Sequence, residues 1–129
     1  MKAIVAVNGF RAAQEALKTT KSFEAGYALT VLAEKLAPAH SAYTKAFNAL
    51  VNEYGHEIEG RRGKVVDATL PPETLDAFDA ARSTLDDKEI SIEYQQLEIA
   101  VLKREQIAGT AVAGLMPFIK KEAANADAD

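Results

Sequence analysis

Apolar residues recur every three or four positions through the middle of the chain, a period typical of one face of an α-helix. The pattern predicts one long helix over residues 22–54, with Ser22 as its N-cap and Gly55 just beyond its end. At 1.5 Å per residue this helix is about 50 Å long, so it needs apolar partners along its whole length. Its apolar face comprises Leu29, Leu32, Leu36, Ala39, Tyr43, Phe47, Leu50 and Tyr54.

One proline lies inside this helical pattern. Pro38 lacks a backbone donor and its ring presses on the carbonyl group of Glu34, so a kink or a break is expected there. The apolar register nevertheless continues past the proline, from Leu36 to Ala39 and Tyr43. We therefore predict a single kinked helix, with two separate helices as the alternative.

Three shorter stretches predict the strands of a small β-sheet. Residues 2–7 are rich in isoleucine and valine and end at Asn8-Gly9, a pair typical of turns. Residues 64–66 follow a glycine-containing turn and include two valines. Residues 89–94 alternate polar and apolar side chains, which is the pattern of a half-buried strand.

Local start and stop signals predict three further helices. Asn8 is placed to cap a short helix over residues 10–18. A pair of prolines at 71–72 marks the start of another helix, which is expected to end at 86–87. Thr110 is placed to cap a last helix. The elements together predict a predominantly helical α+β fold, in which one long kinked helix packs with shorter helices and a small β-sheet.

Length and composition favour one domain. The chain has 129 residues, of which 48% are hydrophobic and 26% charged, as in ordinary folded proteins. We expect a single α+β domain over residues 1–122, followed by a flexible acidic tail over residues 123–129. The net charge is −4, and the sequence lacks the excess of basic residues that forms the face of a nucleic-acid binder. It also contains no cysteine. No apolar stretch approaches the ~20 residues that span a membrane, so we expect no membrane partner and a protein that stays inside the cell.

Candidate chemistry is sparse. His56 and Glu59 could share a metal on a helix, but a site needs at least three protein ligands, and His40 lies about 24 Å away along the long helix. The loop with Arg61, Arg62 and a following glycine lacks the spacing of a phosphate-binding loop. It is interpreted as a solvated turn, with a protein contact as its functional alternative. We predict no metal and no cofactor.

Acidic residues crowd one region without the apolar pocket that a catalytic carboxylate needs to raise its pKa. They alternate with apolar residues, which is typical of the solvent face of a helix. We therefore predict no catalytic residue and a protein that is not an enzyme, with a small enzyme that uses these carboxylates as the alternative. The residues concerned are Asp76, Asp79, Asp86, Asp87 and Glu89.

Aromatic residues on the long helix allow two interpretations. Their helical spacing makes core packing the default, but tyrosine tolerates half-burial and is enriched at protein interfaces. A helix this long also has more apolar surface than short helices and a small sheet easily cover, so part of it is a candidate oligomer or partner surface. The candidate partner-binding residues are Tyr27, Tyr43, Phe47, Tyr54, Arg61 and Arg62.

Five short segments along the chain form a recognisable series: GYA at 26–28, EKL at 34–36, LVNEYG at 50–55, LDDKEISI at 85–92 and GLMPFI at 114–119. In these segments, residues 20–119 resemble a family of small tailed-phage proteins of uncharacterised function. The resemblance implies a phage gene and a mixed fold of helices and strands, and it transfers no catalytic residue. In place of an acidic, lysine- and aspartate-rich segment of the family, this chain has Glu-Gly-Arg-Arg at 59–62.

The function expected from this sequence is therefore non-catalytic. We predict a phage-encoded protein that acts through protein–protein contacts, as an accessory or assembly component of the phage particle. The alternative is a phage-encoded inhibitor that binds and occludes a host defence or metabolic enzyme. The expected partner is a phage structural protein or a host protein, and a homo-oligomer is an alternative. The expected location is the host cytoplasm or the virion.

Overall fold

The computed structural model describes residues 1–120 and has the predicted α+β, predominantly helical architecture. The predicted tail over residues 123–129 lies outside the described residues. Among the described residues, no helix is both long and apolar enough to cross a membrane. The elements are α1 (Ala3–Leu17), α2 (Phe23–Tyr54), β1 (His56–Glu57), β2 (Lys64–Val65), α3 (Pro72–Asp86), α4 (Ile99–Leu102) and α5 (Gly109–Leu115), which is followed by a 3₁₀ helix (Met116–Phe118).

The long helix is confirmed as one continuous element. The Ser22 side chain accepts a 3.1 Å hydrogen bond from the Ala25 N–H and caps the start of α2. The helix runs unbroken through Pro38, which is exposed on the solvent side, so the prediction of one helix rather than two is correct. At the end of α2, the Gly55 N–H donates to the Val51 carbonyl oxygen at 2.7 Å.

The prediction of a strand over residues 2–7 is wrong, because residues 3–7 form the first turns of α1 and Lys2 is its N-cap. Asn8, predicted as a helix cap, lies in the interior of the same helix. The small buried residues of α1 fall at helical spacing and pack against α2, and this packing outweighs the local strand preference of isoleucine and valine. Gly9 allows the Phe118 ring to approach α1 closely, since a Cβ atom at that position would overlap with the ring.

The sheet is smaller than predicted and uses different residues. β1 and β2 form an antiparallel hairpin with His56 opposite Val65 and Glu57 opposite Lys64. Of the predicted strands only 64–66 is found in the sheet, as β2. The prediction of a strand over 89–94 is wrong, because only the start of this segment pairs with the first residues of the chain, in one isolated bridge from Lys2 to Glu89.

The helix predicted after the proline pair is confirmed as α3, which ends at Asp86 with Asp87 as its C-cap. Its single buried side chain is Phe78. The last helix begins at Gly109 with Ala108 in the N-cap position, so the prediction that Thr110 caps it is wrong. Leu97 pairs with the end of the described chain through two backbone hydrogen bonds. Its N–H donates to the Phe118 carbonyl oxygen at 2.8 Å, and its carbonyl oxygen accepts from the Lys120 N–H at 2.7 Å, so that Leu97 lies beside Ile119.

Most of the core surrounds the first half of α2. There α1, α4, α5 and the 3₁₀ helix enclose a cluster whose largest members are Leu29, Leu32, Leu36, Leu97, Leu115 and Phe118. A second, smaller cluster joins Ala3 and Val7 of α1 to Tyr43 of α2. Beyond Tyr43, α3 and the hairpin supply the partners of α2.

Candidate functional site

Two aromatic side chains at the start of α2 are exposed on the side that faces away from the core. Phe23 is 85% exposed and Tyr27 is 64% exposed, and their rings stack with centroids 5.9 Å apart. The two residues are four positions apart and share one helix face, whereas Ala25 and Leu29 are buried on the opposite face. We call Phe23 and Tyr27 the aromatic pair. Exposure of two stacked rings is typical of a contact surface.

A small apolar pocket lies between α4 and α5 and has a volume of about 180 Å³. Val112 and Met116 are the exposed apolar members of its lining, at 39% and 59%. Lys103 and Glu105 add charged groups to the lining. We call this cavity the apolar pocket. The rest of its lining is Ile99, Leu102, Ile107, Leu115 and Ile119.

Glu105 connects the start of α2 with the apolar pocket. Its carboxylate oxygens accept hydrogen bonds from the backbone N–H groups of Lys21, at 2.8 Å, and Ser22, at 3.3 Å. The hydrogen bond from Lys21, followed by those from Ser22, holds the pKa of Glu105 below its ordinary value. Glu105 also lines the apolar pocket, so it links the pocket to the backbone just before α2.

Charges of opposite sign flank these two apolar features. Glu24 lies in the first turn of α2, next to Phe23, while Lys103 and Arg104 directly follow α4. All three side chains belong to exposed residues. None of the three takes part in an ion pair with another residue of the range 1–120. The surface thus carries an acid beside the aromatic pair and a cation in the lining of the pocket.

The structure places three of the candidate partner-binding residues inside the molecule rather than on this surface. Tyr43 is only 9% exposed, and its hydroxyl group donates a 2.6 Å hydrogen bond to Asp86. Burial, followed by this hydrogen bond, raises the pKa of Tyr43 to about 12. Phe47 and Tyr54 are half-buried, and the rings of both lie nearly perpendicular to the Phe78 ring, at centroid distances of 6.0 and 6.3 Å. These contacts match the interpretation that the aromatic residues on the apolar face of the long helix pack in the core.

Arg61 and Arg62 lie at the tip of the hairpin and are exposed. Gly60 and Gly63 on either side have positive φ values of 85° and 74°, a conformation that favours glycine, so the turn fixes where the arginines project. The arginines are separate from the aromatic pair, because the hairpin follows the far end of α2. Of the six candidate residues, only Tyr27 belongs to the surface described above.

His56 has a partner that the sequence did not indicate. Its Nε2 atom lies 3.0 Å from Asp67 Oδ1, and the Thr69 hydroxyl group donates to the same oxygen at 2.6 Å. The hydrogen bond from Thr69 is the main reason that the pKa of Asp67 is held below its ordinary value. His40, the other histidine, stacks on Phe10 at 4.5 Å, and burial lowers its pKa.

No constellation typical of an enzyme accompanies these contacts in the part of the chain that the structure describes. Across residues 1–120 no polar or charged residue is buried, and no three histidine or carboxylate side chains lie close enough together to hold a metal ion. The acidic residues of the 76–89 region are exposed or half-exposed. Asp86 alone among them has a side-chain hydrogen bond, from Tyr43.

Sequence reasoning missed Phe23 and the apolar pocket. Phe23 precedes Tyr27 by one helical turn on the polar face of the predicted helix, so the signal for the aromatic pair was available in the spacing. The pocket was not visible, because it depends on how α4 packs against α5. No protein-family model, curated protein or solved structure matches this chain.

Proposed function

We propose that this chain is a non-catalytic, phage-encoded protein that acts through protein–protein contacts, as an accessory or assembly component of the phage particle. The observation that carries the proposal is the aromatic pair, Phe23 and Tyr27, which is exposed at the start of α2. Aromatic side chains are enriched where proteins bind one another, and they dominate the binding energy of such contacts. A partner that covers the pair removes this apolar surface from water.

The remaining parts of the proposal have separate support. The phage origin is supported by the resemblance of residues 20–119 to small tailed-phage proteins. The non-catalytic character is supported by the absence of a buried acid or base from residues 1–120, since a general acid or base is usually tuned by such an environment. The place of action that follows is the cytoplasm of the infected host or the particle assembled there.

A capture experiment from infected cells tests the proposal. The tagged full chain is used as bait at an early and a late time of infection, and the bound proteins are quantified by mass spectrometry. Capsid, connector or tail proteins are expected with the wild-type bait. They are expected to be lost with the double variant Phe23→Ser/Tyr27→Ser, in which the core is untouched.

The matched control is Ser41→Ala/Lys45→Ala, which changes two exposed residues with the same spacing on the outward side of α2. This variant should capture the same proteins as the wild type. A single host enzyme captured in stoichiometric amount, without particle proteins, would contradict the assembly role and would indicate an inhibitor instead.

A further inference from the structure

We propose that His56, Asp67 and Thr69 bind one divalent transition-metal ion, such as Zn²⁺, at the base of the hairpin. The protein ligands are Nε2 of His56, a carboxylate oxygen of Asp67 and the hydroxyl oxygen of Thr69, and water fills the remaining positions around the ion. This site is independent of the proposed function, because the hairpin follows the end of α2 that is opposite to the aromatic pair.

The three donor atoms have the mutual separations of ligands that share one ion. His56 Nε2 lies 3.0 Å from Asp67 Oδ1 and 3.3 Å from Thr69 Oγ1, and the two oxygens lie 2.6 Å apart. In an octahedral site with bonds of about 2.1 Å, neighbouring ligand atoms are about 3.0 Å apart. The observed separations fall on either side of this value, so the three donors approximate one face of an octahedron. An ion above that face reaches all three.

The donor set selects the class of ion. Imidazole nitrogen is a ligand typical of zinc, copper, iron and nickel, whereas carboxylate and water oxygens suit magnesium, calcium and manganese. One nitrogen combined with two oxygens therefore favours a divalent transition metal over Mg²⁺, which is bound mainly through oxygen. The chain contains no cysteine, so no thiolate competes for the same ion.

The hairpin explains why the sequence did not reveal the site. The spacing of His56 and Glu59 suggested a shared metal only on a helix, whereas His56 lies in β1. Asp67 and Thr69 are 11 and 13 positions beyond His56, and only the return of the chain through β2 brings them to it. The third donor is a hydroxyl group, so the trio is also not a cluster of histidines and carboxylates alone.

The backbone around the donors is fixed before any ion binds. The hairpin register pairs His56 with Val65, which brings the chain after β2 back to the end of α2. Gly55 permits this close return, since a Cβ atom there would lie 2.7 Å from the Val65 carbonyl oxygen. The N–H of Leu70, a buried residue, donates to the Asp67 carbonyl oxygen at 3.2 Å and closes the turn after β2. Ligands that are already in place lose less freedom on binding.

The hydrogen bonds of Asp67 leave its carboxylate available to an ion. The Thr69 N–H donates to Oδ1 at 3.1 Å, and this bond can orient the carboxylate while the ion is bound. Within residues 1–120, the hydrogen bonds made to this carboxylate all involve Oδ1 and leave Oδ2 without a donor. The ion takes the lone pair of His56 Nε2, so the imidazole proton lies on Nδ1 in the bound state. The Thr69 hydroxyl group keeps its proton and turns it away from the ion.

The site is accessible from solvent, and the nearest strand cation lies on the other face of the hairpin. The side chains of His56 and Asp67 are 35% and 38% exposed. Successive strand residues point to opposite faces, so Glu57 and its partner Lys64 lie on the face opposite to that of His56. The Lys64 ammonium group donates to the Asn52 carbonyl oxygen at 3.1 Å. It therefore does not occupy the position of the ion.

The bound ion acts as a clip on the hairpin. It joins β1 to the segment after β2, and these donors lie together only in the folded chain. An ion that binds the folded chain alone stabilises it, and the stabilisation grows with ion concentration. Three protein ligands at an exposed site bind more weakly than the four of a structural zinc site, so we expect affinity in the micromolar range.

Calorimetric titration and thermal unfolding of the full chain with ZnCl₂ test the site, after treatment with EDTA and removal of the chelator. The wild type should bind one ion per chain and gain in Tm as ZnCl₂ is added. His56→Gln, Asp67→Asn and Thr69→Val should each weaken binding about tenfold or more. His40→Gln and Thr84→Val, the matched controls, should bind as the wild type does. No saturable binding by the wild type up to about 1 mM ZnCl₂, or unchanged binding by His56→Gln, overturns the proposal.

NMR spectroscopy locates the ion on the unaltered chain and so does not depend on the folding of any variant. CoCl₂ is the probe, because Co²⁺ accepts the same nitrogen and oxygen ligands as Zn²⁺ and its unpaired electrons perturb nearby signals. The amide signals of residues 55–57 and 67–69 should change first, and those of residues 23–27 should stay unaltered. A first change at the acidic residues 86–89, with 55–69 unaltered, contradicts the site. An equal response to MgCl₂ contradicts ligation by the imidazole.

Discussion

The hydroxyl group of Tyr43 donates a 2.6 Å hydrogen bond to Oδ1 of Asp86, the last residue of α3. This bond joins the middle of α2 to the C-terminal end of α3, and the two bonded residues are 43 positions apart in the sequence. The carboxylate of Asp86 is unfavourably placed with respect to the α3 dipole, because the C-terminal end of a helix repels negative charge. The tyrosine hydroxyl compensates for this by supplying a donor.

Removal of this hydroxyl group should destabilise the protein. We expect Tyr43→Phe to lower the free energy of unfolding by about 1.5 kcal/mol, since the lost hydrogen bond is made to a charged acceptor. Urea denaturation followed by circular dichroism measures the change. Asp86→Asn should cost less, because asparagine still accepts the bond and removes the charge from the helix end. If Asp86→Asn lowers the free energy of unfolding more than Tyr43→Phe does, the charge of the acceptor contributes more to the hydrogen bond than its repulsion by the helix dipole costs.

The same residue predicts a weakening of the fold at alkaline pH. The pKa of Tyr43 is raised to about 12 in the folded chain, against about 10 for an unfolded tyrosine. The protonated form is favoured by folding, so its contribution is complete below pH 10 and is lost as pH rises toward 12. Phenolate absorbance should contain a late component from Tyr43. In Tyr43→Phe the late component should be missing.

Two helical glycines provide a matched pair of substitutions. Gly9→Ala introduces a Cβ atom that overlaps with the Phe118 ring, and we expect a loss of about 1–3 kcal/mol. At Gly26 the nearest atom, a methyl group of Thr20, lies 3.9 Å from the added Cβ position. Gly26→Ala should therefore stabilise α2, by up to about 1 kcal/mol. Thermal unfolding of both variants checks the prediction, and equal effects would contradict the close contact at Gly9.

The cluster at the base of the hairpin gives a prediction about acid pH. The hydrogen bond from Thr69 holds the pKa of Asp67 low, so folding favours the carboxylate. Its contribution is present above the unfolded pKa of about 3.9 and is lost as pH falls through the lower folded value. Thr69→Val should raise the pKa of Asp67, as measured by NMR titration of the carboxyl carbon. Thr84→Val, which removes a hydroxyl group from exposed α3, should leave it unchanged.

Replacement of a core aromatic residue and of two surface ones should separate the two roles of the aromatic residues on α2, which are core packing and contact with a partner. Phe78→Ala removes the ring that both Phe47 and Tyr54 contact, and we expect a loss of about 3–4 kcal/mol. The double change Phe23→Ser/Tyr27→Ser should leave the free energy of unfolding of the monomer nearly unaltered, since both side chains are exposed. Chemical denaturation at low concentration compares them. A large loss in the surface variant would mean that the aromatic pair stabilises the monomer.

The elements that the sequence predicted correctly are those with local signals. A serine N-cap and an unbroken apolar period define α2, and a proline pair marks the start of α3. The strand prediction for residues 2–7 failed because their helical conformation depends on contacts with α2. These contacts outweigh the preference of β-branched residues for strands. The strand prediction for residues 89–94 failed because their alternation reflects the packing of Ile90, Ile92 and Tyr94 against the core, without a neighbouring strand.

The candidate site could be predicted only in part. Tyr27 was recognised as a candidate, and its neighbour Phe23 could have been found from a helical spacing of four. Tyr43 was ambiguous, since a tyrosine in an apolar stripe fits both a core and an interface, and only its burial against Asp86 decides between them. The pocket depends on how α4 and α5 are placed relative to one another, which no local pattern encodes.

The uneven distribution of packing along α2 has a consequence for its dynamics. Its first half is enclosed by the large cluster around Leu29, Leu32 and Leu36, whereas its second half depends on α3, through contacts such as that of Phe47 with Phe78. Detachment of α3 would leave the first half intact. Amide protons within this single helix should therefore exchange with solvent at graded rates, slowest before Pro38 and faster toward Tyr54, although the helix is continuous throughout.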